Sequence, residues 1–249
     1  MGEPERWCAA TVAAAHAFVA TSALEDDRIV VDGPDGHHLA RVRRLGRGGV
    51  VTVADGDGRW RPCAVAEATG AGLVLDATGP VMVEPVAQPV LTVAFAPTKG
   101  DQPEQVVAAL TELGVDAILP VMTARSVVRW DGDRATRAGE RLRRIARGAA
   151  EQSRRARLPE IADPAPLATL VGRPGIIVGE RDGGGPDALV DPGPQGWTLL
   201  VGPEGGLEPA EVAALGPVGR LGVGPHILRA GTAPIAAVGL LWARRSARG

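Results

Sequence analysis

Two strand–glycine loop–helix units lie near the C-terminal end of this chain, and together they point to an α/β fold. In Trp197–Leu215, WTLLVGPEGGLEPAEVAAL, a β-rich apolar run stops at Gly-Pro-Glu-Gly-Gly. A helix then opens with Pro209 in its first turn, where the missing N–H costs little. In Gly219–Arg245, GRLGVGPHILRAGTAPIAAVGLLWARR, a short strand ends at Gly222-Val223-Gly224-Pro225. A loop carrying Arg229 and Thr232 follows, and then an Ala-rich helix. Successive units of this kind bring both loops to one edge of a sheet, beyond the carboxyl ends of its strands, where open α/β sheets bind ligands. Gly202, Gly205 and Gly206 carry no side chain, so they can take positive φ and let a ligand lie against the backbone. Their N–H groups, with those of the following helix start, suit carboxylate or other anionic acceptors. A Gly-rich junction can equally be a tight turn, and the loop alone does not separate the two.

The pattern upstream divides the chain. From about Phe18 to Ala77, short β-like runs alternate with Gly/Asp turns. Strands are expected at Arg28–Val31, Val50–Ala54, Arg61–Ala66 and Leu73–Asp76, with Asp55-Gly56-Asp57-Gly58 as a hairpin turn and a short helix over His37–Leu45. That fits a small β-barrel domain over residues 1–78. Gly79 to Pro89 holds three prolines and reads as a linker, residues 79–89. Residues 90–249 then read as α/β. Val90–Ala96 is a buried strand, Pro103–Leu113 a helix closed by Gly114, and Ala117–Val121 a further strand. Arg134–Arg155 is a long helix with one apolar stripe, Leu142, Ile145, Ala146 and Ala149. Ile176–Val178 and Thr198–Val201 are short strands, and Asp182–Gly185 with Pro186 is a turn.

Charge is distributed unevenly. The formal net charge is −2, yet Arg134 to Arg157 contains nine arginines against Glu140 and Glu151. Arg41, Arg43, Arg44 and Arg47 form a second cluster without an acid. Patches of one sign matter more than the total when the partner is a phosphate backbone, although an Arg-rich helix can also be a solvated face. Cys8 and Cys63 are the only cysteines and have no metal-ligand spacing, which suits a reducing compartment. No apolar run reaches the roughly 18 to 20 residues of a transmembrane helix. Glu3 and Glu5 precede the apolar stretch Cys8–Ala20, the wrong charge for a signal peptide. A cytoplasmic protein is expected, with no membrane partner.

No competing site motif is complete. Gly222-Val223-Gly224 lacks the third glycine of a dinucleotide fingerprint, and Lys99-Gly100 lacks the rest of a P-loop. Four histidines and two cysteines offer no metal cluster, and no Gly-x-Ser-x-Gly elbow is present.

The two loops, Gly202–Glu211 (GPEGGLEPAE) and Leu221–Ala233 (LGVGPHILRAGTA), resemble the cofactor-binding loops of SPOUT-class RNA methyltransferases. Thr98–Val127, Glu151–Ile161 and His37–Trp60 are similar to one family within that class, the RsmE-type 16S rRNA uridine N3-methyltransferases. The resemblance implies a SPOUT-type sheet with a C-terminal trefoil knot, preceded by a PUA-like RNA-binding barrel. It also implies S-adenosylmethionine (SAM) as cofactor, 16S rRNA of the small ribosomal subunit as substrate, and a homodimer. The cofactor residues it implies are Val201, Gly202, Pro203, Glu204, Gly205 and Gly206 in the first loop. In the second they are Leu221, Gly222, Gly224, Ile227, Leu228, Thr232 and Ala233. Arg229 is the candidate cation for a developing uracil anion, or else a structural salt bridge. Glu204 is a candidate base, or else a partner for loop N–H groups. Arg41, Arg43, Arg44, Arg125, Arg154 and Arg155 are the RNA-binding candidates. Lys99 and Asp101 are candidates at the sheet's ligand edge, Asp101 equally as a helix cap. The final helix, Ala233–Trp242, suits dimer packing and ordinary core alike.

Three departures from the family pattern stand out. Ala230-Gly231 replaces a polar pair, Ala108-Ala109 a Gln-Lys pair, and Gln102 a basic residue. Ala230-Gly231 keeps open a non-catalytic RNA-binding or ribosome-assembly protein, and the loops alone keep open a SPOUT enzyme with another RNA target.

Overall fold

The computed structural model describes residues 13–42 and 45–246, which form two compact units. The first comprises the chain up to Pro85 together with Ala150–Leu158. Its strands are β1 (Ala15–Phe18), β2 (Arg28–Val31), β3 (Val50–Ala54), β4 (Arg59–Ala68), β5 (Leu73–Ala77) and β6 (Met82–Val83). They lie in the order β1-β3-β4-β5-β2, with β6 on β4; all pairs are antiparallel except β1 with β3. β1 and β2 are the two ends of this path, and no pairing joins them among the described residues. Alternating residues Val51, Val53, Cys63, Val65, Leu73 and Leu75 enclose its core. The β3–β4 turn falls where the Asp-Gly pattern puts it. The Asp55 carboxylate accepts the N–H of Asp57 (2.8 Å) and of Arg59 (3.1 Å), while Gly56 and Gly58 take φ of 89° and 102°.

Two elements of this unit differ from expectation. The helix expected over His37–Leu45 from a start near Asp35 begins two residues earlier: α1 (Gly33–His37), with Pro34 in its first turn, continues as a wider helical turn through Val42. The segment expected as linker, residues 79–89, includes β6.

The second unit, Val86–Ala149 with Pro159–Gly249, is built on a parallel sheet. Its strands are β7 (Leu91–Phe95), β8 (Ala117–Met122), β9 (Glu160–Ile161), β10 (Ala165–Pro166), β11 (Ile176–Gly184), β12 (Trp197–Val201) and β13 (Gly219–Leu221). The order is β10-β8-β7-β12-β11-β13, with β9 also on β8. Both faces are covered, so the strands are apolar throughout. Val93, Phe95, Ile177 and Leu199 face one cluster with Val107 and Leu110 of α2 (Gln102–Glu112), Leu142 and Ala146 of α3 (Gly132–Ser153), and Val238 and Leu241 of α5 (Ala233–Ser246). Ala94, Leu119, Val178 and Leu200 face the other, with Leu170 and with Leu215 of α4 (Pro209–Leu215).

Helix ends follow local chemistry. Gly114 closes α2 at φ 80°. α3 starts at Gly132, two residues before the expected Arg134, and ends at Ser153 because Arg154 turns to φ 59°. α5 runs to Ser246, beyond the expected Trp242, and Ala237, Val238 and Leu241 bury in the core. No described helix is long and apolar enough to cross a membrane.

One expectation is overturned. Asp182–Gly185 is not a turn, because β11 continues through Gly184 and bulges against β13. The Gly222 N–H donates to the Gly184 carbonyl at 2.9 Å. A Cβ on Gly183 would stand 2.6 Å from the Gly222 nitrogen, and one on Gly222 would run into the Gly183 carbonyl. Two side-chain-free residues are what let these backbones meet.

Candidate functional site

At the carboxyl ends of β11, β12 and β13 the second unit holds a cavity of about 460 Å³. The first wall is Val201–Leu207, the second runs from Leu221 to Ala233, and the third is Val178–Asp182 from the extended β11. Of the residues that sequence proposes for the cofactor, Val201, Gly202, Pro203, Glu204, Gly205, Gly206, Leu221, Gly224, Ile227, Leu228 and Ala233 line it. Gly222 does not; its place is against Gly183. Thr232 is exposed and also lies off the lining.

The first loop is shaped by its neighbours. Gly206 takes φ 72°, and open space lies before it where a Cβ would be. Its N–H closes a turn onto the Pro203 carbonyl at 2.8 Å. Gly224, at φ 148°, likewise faces open space. The following helix carries a capping box. The Glu208 side chain accepts a backbone N–H at the third helical position, and Glu211 Oε2 accepts the Glu208 N–H at 2.9 Å. The other oxygen of Glu211 accepts the Ala124 N–H at 2.7 Å, and Arg125 Nη1 donates to the Gly205 carbonyl at 2.8 Å. Thr123 and Ser126 fix that segment from beneath, through Thr123 N–H to Ser126 Oγ at 2.9 Å. The β8–α3 loop therefore braces the glycine loop at two points. Sequence offers Arg125 as an RNA contact; in the structure its half-exposed guanidinium also holds the Gly205 carbonyl. The Glu208-x-x-Glu211 spacing is the local signal for the capping box, but the Ala124 and Arg125 contacts of the brace have none.

Electrostatically the cavity rim is mixed. Glu180, Asp182 and Glu204 line it together with Arg125 and Arg181. Glu180 pairs with Arg220, and Asp182 with Arg181, whose guanidinium that hydrogen bond holds above its ordinary value. Glu204 is exposed and has no hydrogen-bond partner among the described residues, so the loop N–H bonding expected of it does not form. Arg229 is exposed and lies just off the lining, between Leu228 and Ala230. No salt bridge engages it among the described residues; its carbonyl accepts the Thr232 and Ala233 N–H groups at 2.9 Å each.

The remaining candidates lie elsewhere. Asp101 pairs with Arg141 at 3.6 Å and makes no side-chain cap, and Lys99 is exposed. Arg41 is exposed in the first unit, where Arg154 and Arg155 are half-buried. Arg43 and Arg44 lie outside the described residues.

Two of the three departures, Ala230-Gly231 and Gln102, meet in space. A Cβ on Gly231 would lie 3.4 Å from Gln102 Oε1, which accepts the Thr98 hydroxyl at 2.9 Å. Ala230 is buried and lines the cavity. The small pair therefore leaves room for the Gln102 amide and keeps the wall apolar.

Comparison with known proteins agrees with this architecture. A family model described as an RNA methyltransferase domain matches residues 86–242, and one described as an RNA methyltransferase PUA domain matches residues 31–75. The ribosomal RNA small subunit methyltransferase E of Mycobacterium bovis is 38% identical over 221 residues, 84% of each chain. This chain belongs to the ribosomal RNA small subunit methyltransferase E family. The Bacillus subtilis member is 32% identical, over 84% of this chain and 87% of its own. A protein from Legionella pneumophila, solved with bound SAM, superposes with a TM-score of 0.79 at 25% identity, over 92% of this chain and 97% of that one.

Proposed function

We propose that this protein transfers a methyl group from SAM to uridine N3 in 16S rRNA of the small ribosomal subunit. The cavity between the two glycine loops, inside the stretch that the RNA methyltransferase model matches, is the observation that carries this reading. Its residues suit the cofactor. Leu221, Val223, Ile227, Leu228 and Ala237 offer apolar walls for a nucleoside, and open space before Gly206 and Gly224 lets it approach the backbone. Glu204, the lining carboxylate that pairs with no arginine among the described residues, suits a cationic sulfonium, and no phosphate cradle is required.

Bound SAM supplies an activated methyl, so the protein's main task is alignment. Val201–Gly206 and Leu221–Leu228 hold the nucleoside end in place. Glu204, a cavity-lining carboxylate with no hydrogen bond among the described residues, is assigned to receive the N3 proton. Arg229, a cation without a salt bridge among the described residues, is assigned to stabilise the charge that spreads onto O2 and O4. The buried Ala230 weakens the case for a non-catalytic relative, because this altered position still forms cavity wall.

Several wider features belong to the same reading. Residues 1–78 act as a PUA-like RNA-binding domain and residues 90–249 as the SPOUT domain, in a cytoplasmic homodimer. Arg41, Arg43, Arg44, Arg154 and Arg155 contact RNA, as Arg125 does only secondarily to its hold on the loop. A trefoil knot is supported by the strand order, in which the later β12 lies between β7 and β11. Labelled SAM incubated with unmodified small and large ribosomal subunits tests the activity. Label is expected in the small-subunit RNA alone; label in neither subunit would overturn the reading.

A further inference from the structure

This chain has few surfaces on which a base can stack: five tryptophans, two phenylalanines and no tyrosine. Trp60 and Trp197 are buried, and Trp242 lies under the Arg245 guanidinium, 4.9 Å from its ring. Trp7 lies outside the described residues, and among the described tryptophans Trp130 is different. It packs against the main core of the second unit yet stays half-buried, and it lines two cavities away from the cofactor loops. One, about 660 Å³, is walled by Met122, Arg129, Pro164 and Pro166. The other, about 240 Å³, is walled by Arg134, Arg137 and Arg141.

The cations around Trp130 are not equally engaged. Arg141 pairs with Glu104 at 2.9 Å and with Asp101 at 3.6 Å. Among the described residues Arg129 reaches only the Ala124 carbonyl, at 3.3 Å. Arg134 and Arg137 are exposed and pair with no carboxylate among the described residues. An anchored indole beside free guanidinium groups is the combination that binds single-stranded nucleic acid, through a π-face for a base and charge for its phosphates. An apolar protein partner would bury those guanidinium groups unpaired, at considerable cost. A duplex keeps its bases stacked inside, so it offers the indole no free base face.

We propose that Trp130, with Arg129, Arg134 and Arg137, is a stacking platform for an unpaired base of the RNA substrate, outside the cofactor cavity. This rests on the reading of RNA as partner and adds a subsite to it. The platform lies beside the brace: Ala124 and Glu211 line the larger cavity with Trp130. RNA held there reaches the protein next to the segment that supports the glycine loop.

The test uses the whole protein, a short fluorescein-labelled single-stranded RNA, and the same RNA annealed to its complement. Trp130→Ala is expected to weaken single-strand binding about tenfold or more, and Trp130→Phe by much less, with duplex binding unchanged. No loss on the single strand, equal loss on both probes, or an altered sedimentation coefficient marking an interface between copies would each overturn the proposal. If Trp130→Ala does not fold, Arg134→Ala/Arg137→Ala leaves the indole in place. Its single-strand salt slope should fall by about 1.4, at roughly 0.7 per phosphate contact, and an unchanged slope overturns the proposal. The readout is equilibrium binding. A protein that binds through Trp130 but never methylates RNA would fail the proposed function and leave the platform standing.

Discussion

Substituting Arg125 by alanine separates the role that sequence suggests from the one that geometry shows. The side chain makes one hydrogen bond, to the Gly205 carbonyl at 2.8 Å, and one loose ion pair, 3.8 Å from the Glu208 carboxylate. Both members of that ion pair are about half exposed, 48% and 46%, so the pair contributes only about 0–0.5 kcal/mol. The hydrogen bond is charge-assisted but reaches solvent, so about 1 kcal/mol is expected, the low end for such bonds. It holds a loop rather than a core. The loss should therefore fall on the binding-competent loop conformation, weakening SAM binding about five- to tenfold and leaving global stability within about 0.5 kcal/mol. Calorimetric titration with SAM and thermal unfolding of the unliganded protein supply the two numbers. Unchanged SAM affinity with weakened RNA binding would refute the brace and return Arg125 to the RNA surface.

Two further predictions concern packing and pH. Gly222→Ala should cost the second unit about 1–3 kcal/mol, since its Cβ would enter the Gly183 backbone; wild-type stability in denaturant would contradict that close approach. Burial, aided by the charge of Arg154, lowers His16 from 6.5 to about 4, and its Nδ1 lies 2.7 Å from the Thr52 hydroxyl. A depressed pKa means that its stabilising effect is whole above pH 6.5. It is lost as pH falls toward 4, by on the order of 3 kcal/mol. The His16 ring resonances should stay those of neutral imidazole down to pH 5, and a midpoint near 6.5 would contradict the burial.

What the sequence revealed and what it hid divide along the range of the interactions. β12 and α2 were legible because an apolar run and a terminal glycine are local signals, and Asp55-Gly56-Asp57-Gly58 specifies its turn within four residues. The extension of β11 through Gly184 was not legible. Asp-Gly-Gly-Gly has turn composition, and only the distant Gly222 makes it a strand. Ala150–Leu158 read as part of the Arg-rich helix and its exit, yet Ala150 and Ala156 pack with Phe18 and Trp60. The glycine loops were recognisable as a site, but the contacts that hold them were not, because Arg125 and Gly205 lie 80 residues apart.

The central claim is methyl transfer to N3 of one small-subunit uridine. The direct measurement incubates small subunits lacking the modification with this protein and SAM, then maps reverse-transcriptase stops along the 16S rRNA. A methyl at N3 blocks the Watson–Crick edge, so one new SAM-dependent stop at a uridine is expected, absent with Gly206→Val. Methyl incorporation without any new stop would contradict the N3 assignment.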